Sequence, residues 1–167
     1  MQATKTSDTK LLRVVPEGIP DYLKIRPQFV GWKAVGKPGD RLDKVPMIAG
    51  TSRRASTADL LTWRTFEEAL EAYEAGKHDG LGFVLCSADP YAGLDFDGCR
   101  DSVTGEVDSR VLEYIDKFEE RYVEVSVSGT GLHLITRGKI KGGAKKGKYE
   151  LYDQDRFFAL TGVLLDA

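Results

Sequence analysis

Gly80-Leu-Gly-Phe-Val-Leu-Cys-Ser-Ala-Asp-Pro-Tyr-Ala-Gly-Leu-Asp-Phe-Asp-Gly98 holds two short apolar runs on either side of a turn. Gly80–Leu85 and Ala92–Phe96 have strand length, and Ser87-Ala-Asp-Pro90 has turn composition, so the segment predicts two adjacent antiparallel strands. Side chains alternate along a strand, which sends Asp95 and Asp97 to one face and Leu94 and Phe96 to the other. Carboxylates so placed repel each other unless a cation neutralises them, and hard oxygen donors of this kind suit Mg²⁺ or Mn²⁺. The Asp-x-Asp pattern also occurs on polar sheet faces and in sugar-nucleotide transferases, so alone it fixes neither metal nor reaction.

N-terminal to this segment, Phe29-Val-Gly-Trp32 and Lys44-Val-Pro-Met-Ile-Ala49 predict a hairpin across the turn Gly36–Asp40. Pro46 has no donor for a ladder, which puts its strand at a sheet edge. After a polar loop over residues 50–58, Thr65-Phe-Glu-Glu68 fits a capping box. The helix it opens carries Phe66, Ala69, Leu70 and Tyr73 on one face and stops at Gly76. C-terminal to Gly98, a loop to Glu106 leads into a second helix, Ser109–Glu119, with Val111, Leu112, Ile115 and Phe118 as its apolar stripe. Tyr122–Ser126 and Leu132–Thr136 read as strands joined across Ser128–Gly131. Tyr149–Tyr152 and Arg156–Leu160 read as a last hairpin turning at Asp153–Asp155. About eight strands, two helices and hairpin-short connections make the class α+β with a mainly antiparallel sheet.

A chain of 167 residues suits one domain better than two. With 24 basic against 26 acidic residues the net charge is −2, which excludes nucleic-acid binding by bulk positive charge. No apolar run approaches the roughly 20 residues of a membrane helix, and the polar N-terminus lacks a signal-peptide core, so a cytoplasmic protein is expected. Residues 1–12 read as a disordered lead-in and 13–167 as the domain, expected to be excised from a longer protein. Cys86 and Cys99 fit no metal or redox spacing and read as reduced thiols; Trp32 and Trp63 read as core.

Three further elements carry chemistry. Ser128-Gly-Thr-Gly-Leu-His133 joins a hydroxyl-bearing turn to a histidine. Gly129 and Gly131 let backbone N–H groups approach a phosphate, and His133 can offer it a hydrogen bond or a charge. The competing reading is a plain glycine-rich hairpin turn. Glu150 lies in the strand Lys148–Asp153 and could complete a three-carboxylate cluster, with Asp153 as the rival candidate and a solvated strand position as the bland one. Lys139-Ile-Lys-Gly-Gly-Ala-Lys-Lys-Gly-Lys148 reads as a mobile cationic loop able to follow a phosphate backbone or cover a triphosphate, or else as a solvated turn; Lys44, Arg53 and Arg54 form a second basic group. His78 follows the first helix, where a partial positive charge is comfortable.

In order along the chain, Leu-Asp-Phe-Asp97, Ser-Gly-Thr-Gly-Leu-His133 and Glu150-Leu-Tyr-Asp with Arg156-Phe-Phe-Ala-Leu-Thr-Gly162 resemble the archaeo-eukaryotic primase superfamily. The likeness is greatest to the primase-polymerases of bacteriophages and mobile elements. Trp32-Lys, Lys44-Val-Pro46 and Thr62-Trp-Arg-Thr-Phe-Glu-Glu-Ala69 are similar to that group too, so the resemblance covers roughly residues 25–163. It implies an RRM-like catalytic sheet (about 80–163) beside a small N-terminal α/β subdomain (about 22–78). It implies Asp95, Asp97 and Glu150 as ligands of two Mg²⁺ or Mn²⁺ ions, and His133 on the nucleotide's phosphates. Ser128, Lys44 and Arg156 would meet nucleotide or template. The implied activity is template-directed nucleotidyl transfer on single-stranded DNA with dNTP or NTP, with a helicase domain in cis or trans and no membrane. Two alternatives are an inactive module that binds single-stranded DNA and an Asp-x-Asp sugar-nucleotide transferase.

Overall fold

A computed structural model describes residues 10–37, 39–140 and 144–165 of the chain. Most of the expected lead-in, and Lys141 of the basic segment, lie outside the described residues. The strands are β1 (Phe29–Val35), β2 (Asp43–Met47), β3 (Gly80–Leu85), β4 (Tyr91–Phe96), β5 (Arg121–Val125), β6 (Leu132–Arg137), β7 (Ala144–Lys146), β8 (Tyr149–Tyr152) and β9 (Arg156–Leu160). The helices are α1 (Asp21–Lys24), α2 (Phe66–Glu74) and α3 (Ser109–Ile115). The class is α+β, as the strand-rich pattern implies: all paired strands run antiparallel, in one sheet ordered β2-β1-β3-β9 and another ordered β5-β6-β4-β8-β7.

Local chemistry explains the elements read correctly. Pro46 sits on the edge strand β2, opposite Trp32. Thr65 accepts the Glu68 N–H while Glu68 accepts the Thr65 N–H, closing the capping box of α2. Phe66, Ala69 and Ala72 are its buried face, and Phe66 and Ala69 share a core cluster with Phe29, Phe83 and Leu160 of the first sheet. α3 is shorter than expected; Val111 and Ile115 are buried but Leu112 is 38% exposed, so the apolar stripe is narrower than the sequence implies.

Two expected hairpins are corners instead. β3 pairs with β1 and β9, whereas β4 pairs with β6 and β8, so Ser87–Pro90 carries the chain from the first sheet to the second. The reason is Asp89. Its buried carboxylate accepts the Cys86 and Tyr91 N–H groups, the Gln28 amide and the Lys139 ammonium, a set of donors that a two-stranded hairpin could not supply. Asp153–Asp155 likewise returns the chain from β8 to β9 in the first sheet, with Asp155 at φ +55°. Hence β3 and β9, expected in the catalytic sheet, complete the sheet begun by β1 and β2.

The basic segment is not simply a loop. Ala144–Lys146 forms β7, paired with β8 across a turn in which Gly147 takes φ +60°. Lys139 points inward, bonding Asp89 and the backbone carbonyls of Cys86 and Asp153, and so fastens both corners. Consecutive lysines show no strand alternation, which hid β7 from the sequence.

The second sheet has two unlike faces. Leu94, Phe96, Leu132, Leu134 and Val125 pack with Val111 and Ile115 of α3. The opposite face meets the first sheet, and at Gly93 a Cβ would lie 2.4 Å from the Phe158 ring. Among the described residues, no helix is long and apolar enough to cross a membrane.

Candidate active site

Strand register lines up one residue from each strand of the second sheet: Glu124, His133, Asp95, Glu150 and Lys145, in that spatial order. Directly opposed residues share a face, so this is a row of ionisable side chains on the face turned toward the first sheet. The contacts follow the row. Glu124 Oε1 lies 3.0 Å from His133 Nδ1, His133 Nε2 lies 3.7 Å from Asp95 Oδ1, and Lys145 Nζ lies 2.7 Å from Glu150 Oε1. Glu150 also accepts the Tyr152 hydroxyl at 2.6 Å.

Asp95 is the centre. It lies between His133 and Glu150 in register, and its Oδ1 is buried without a hydrogen-bond partner. Burial pushes its carboxyl above the usual aspartate range; His133 opposes this, and Asp97 and Glu150 add to it. His133 sits above the ordinary histidine value. Burial works against its charge, but the hydrogen bond and negative charge of Glu124 outweigh it, with Asp95 adding. Glu150 is held low by its hydrogen bonds from Lys145 and Tyr152. An unpaired, buried carboxylate oxygen is what a hard cation would satisfy, and Asp97 and Glu150 are oxygen donors of the same kind. Yet no three His, Cys, Asp or Glu side chains among the described residues already ring a metal position. Asp97 instead faces Arg41 at 3.2 Å, and Glu150 faces Lys145.

Two adjoining cavities share Asp95, His133, Lys44 and Arg41 in their walls. One, of about 460 Å³, adds Asp97, Ser128 and Thr130. The other, of about 510 Å³, adds Glu150, Tyr152 and Arg156.

No protein-family model matches the chain. The DNA primase-polymerase of Nitratiruptor phage NrS-1 is 32% identical over 146 aligned positions, and the match covers 83% of this chain and 20% of the phage protein. The chain carries a primase-polymerase-type domain. It spans about a fifth of that relative's length.

Within this domain, the fold brings Asp95, Asp97, His133, Ser128 and Lys44 to one cavity, and Glu150 and Arg156 to its neighbour. Gly129 and Gly131 shape the turn without lining either cavity. Gly129 takes φ +78°, and a Cβ on Gly131 would meet the Phe96 carbonyl at 2.6 Å. The Ser128 and Thr130 hydroxyls lie 2.8 Å apart. Asp153, the rival to Glu150, is buried, accepts the Ile140 N–H and lines neither cavity. His78 is a correction: it is buried and accepts the Gly50 N–H at 2.9 Å, and burial lowers its pKa, so it serves as a neutral acceptor.

Two residues escaped the sequence reading. Arg41 came from a segment read as turn and connection, and nothing there pointed across to Asp97. Glu124 sits in Tyr122-Val-Glu-Val-Ser126, where alternation alone fits a solvated position as well as a buried one. Its signal, visible only in register, is that it opposes His133.

Proposed function

We propose that this domain performs template-directed nucleotidyl transfer, as a DNA primase, a DNA polymerase or both, in the replication of a phage or mobile element. The observation that carries the reading is Asp95. A partly buried carboxylate with an unpartnered oxygen stands in register between His133 and Glu150, at the wall shared by two cavities. The phage relative's name supports it.

Asp95, Asp97 and Glu150 would hold two Mg²⁺ or Mn²⁺ ions, which would activate the attacking 3′-hydroxyl and neutralise the departing pyrophosphate. The chain's own part is placement. His133 offers Nε2 beside Asp95 to the triphosphate, and Ser128, Lys44 and Arg156 line the cavities where phosphates or template would lie. Base pairing with single-stranded DNA would select the dNTP or NTP, and a helicase in cis or trans would expose the template.

Incorporation on primed and unprimed single-stranded DNA, with Mg²⁺ or Mn²⁺ and with dNTPs or NTPs, tests the reading. Activity is expected in the wild type and absent from the Asp95→Ala/Asp97→Ala double variant; a fully active double variant would refute it. A second reading draws on the ion pairs Arg41–Asp97 and Lys145–Glu150, which already neutralise two of the three acids. On that reading the domain only binds single-stranded DNA. Tight, chelator-insensitive DNA binding without any incorporation would favour it.

A further inference from the structure

Glu124 lines neither cavity, yet it is fully buried, at 0% exposure. Burying a carboxylate costs several kcal/mol unless its oxygens are well satisfied, so its partners reveal what it is for. They divide sharply between the two oxygens. Three donors converge on Oε2: the Tyr122 hydroxyl, and the Thr161 and Gly162 N–H groups at 2.8 Å each. The two N–H donors tie β5 to the segment just after β9. Oε1 has a different partner, the Nδ1 of His133 at 3.0 Å.

A carboxylate in this position can only accept, so His133 Nδ1 must carry a proton. That leaves Nε2 as the end turned toward Asp95 and the shared cavity wall. The ring is further held edge-on by Phe158, with centroids 5.2 Å apart at 85°.

We propose that Glu124 is a positioning residue: by accepting the Nδ1 proton in a hydrogen bond it fixes the orientation of the His133 ring so that Nε2 faces the bound nucleotide. The inference rests on the site being a nucleotide site, but its first test does not. In the wild-type protein, long-range ¹H–¹⁵N spectra of the His133 ring show a protonated Nδ1. Glu124→Gln makes a sharper demand. The three donors on the Oε2 side hold the amide's carbonyl there, which turns its NH₂ toward His133 Nδ1. Nδ1 then becomes an acceptor and loses its proton, while His78 serves as an unchanged internal reference.

The nucleotide KM of Glu124→Gln is expected to rise roughly 10-fold with a smaller change in kcat, the size usual for an outer partner that orients a site histidine. In a His133→Ala background the same substitution changes KM by less than about 2-fold, since its effect passes through the ring. An unprotonated Nδ1 in the wild type overturns the proposal, as does a retained Nδ1 proton in Glu124→Gln or a full additional KM effect without His133. The wild-type spectrum decides even where the variant fails to fold. The expected loss of the Nδ1 proton in Glu124→Gln, together with a wild type that incorporates no nucleotide, would instead refute the polymerase reading and leave the positioning role standing.

Discussion

The outward and inward faces of the second sheet are made by alternate residues of the same strands, and only the inward face sets a row of ionisable side chains beside its apolar residues Tyr122, Ile135 and Tyr152. Outward, Leu94, Phe96, Leu132, Leu134 and Val125 are each at most 4% exposed and pack under α3. Each such side chain stabilises the fold by roughly 1.5–3 kcal/mol of burial. Inward, one residue out of step, stand Glu124, His133, Asp95 and Glu150, whose burial works against folding. The apolar residues of both faces offset what the ionisable row costs. A one-residue register slip would exchange the two, so the same contacts that stabilise the sheet also fix the site.

The largest expected effect is on activity, from the inward face. Asp95→Asn should lower nucleotide incorporation by roughly 10³-fold or more, about 4 kcal/mol in the barrier. Leu134→Ala on the outward face should do the reverse. It is expected to destabilise by about 2–5 kcal/mol in chemical denaturation, with activity per folded molecule unchanged. If it instead abolished activity in fully folded protein, the two faces would not be separable.

A smaller effect with the opposite sign sharpens the contrast. Burial raises the Asp95 pKa, so the folded state holds that proton more tightly than the unfolded chain does. Its stabilising effect is therefore complete below the ordinary aspartate value and is lost as pH rises through the raised one. At neutral pH the charge is a burden. Asp95→Asn should thus raise Tm in chelator by about 2–4 °C, as expected for roughly 1 kcal/mol in a chain this size. Thermal melts of the two proteins should converge as the pH falls through the carboxylate range, and a lower Tm for the variant at neutral pH would contradict this account. Smallest is Arg41→Ala. Its exposed pair with Asp97 is worth only about 0–1 kcal/mol, so Tm should barely move. Calorimetric Mn²⁺ binding should tighten a few-fold as a competing cation is removed.

What the sequence showed and hid follows the range of the interactions. The alternation Leu94-Asp-Phe-Asp97, the Ser128–His133 turn and the α2 capping box are local and legible. Asp89 and Asp153 both sit in turns that look like hairpin turns. Their buried carboxylates turn those segments into corners by recruiting donors such as Gln28, 61 residues from Asp89, and Ile140, 13 residues from Asp153. Glu124 is the extreme case, since its N–H donors Thr161 and Gly162 lie 37 and 38 residues away. Nothing within Tyr122–Ser126 distinguishes it from a solvated glutamate.

The place of β3 in the first sheet also bears on the order in which the polypeptide can fold as it leaves the ribosome. β3 is buried along its whole length and lies between β1 and β9, with Leu81 opposite Leu160. Until residues 156–160 have been made, its second edge has no partner, and an apolar strand with an open edge is a template for association with other chains. The residues that close this edge run directly into Thr161 and Gly162, which donate to Glu124. A nascent chain therefore sheds its aggregation hazard and completes the support behind His133 in the same late step.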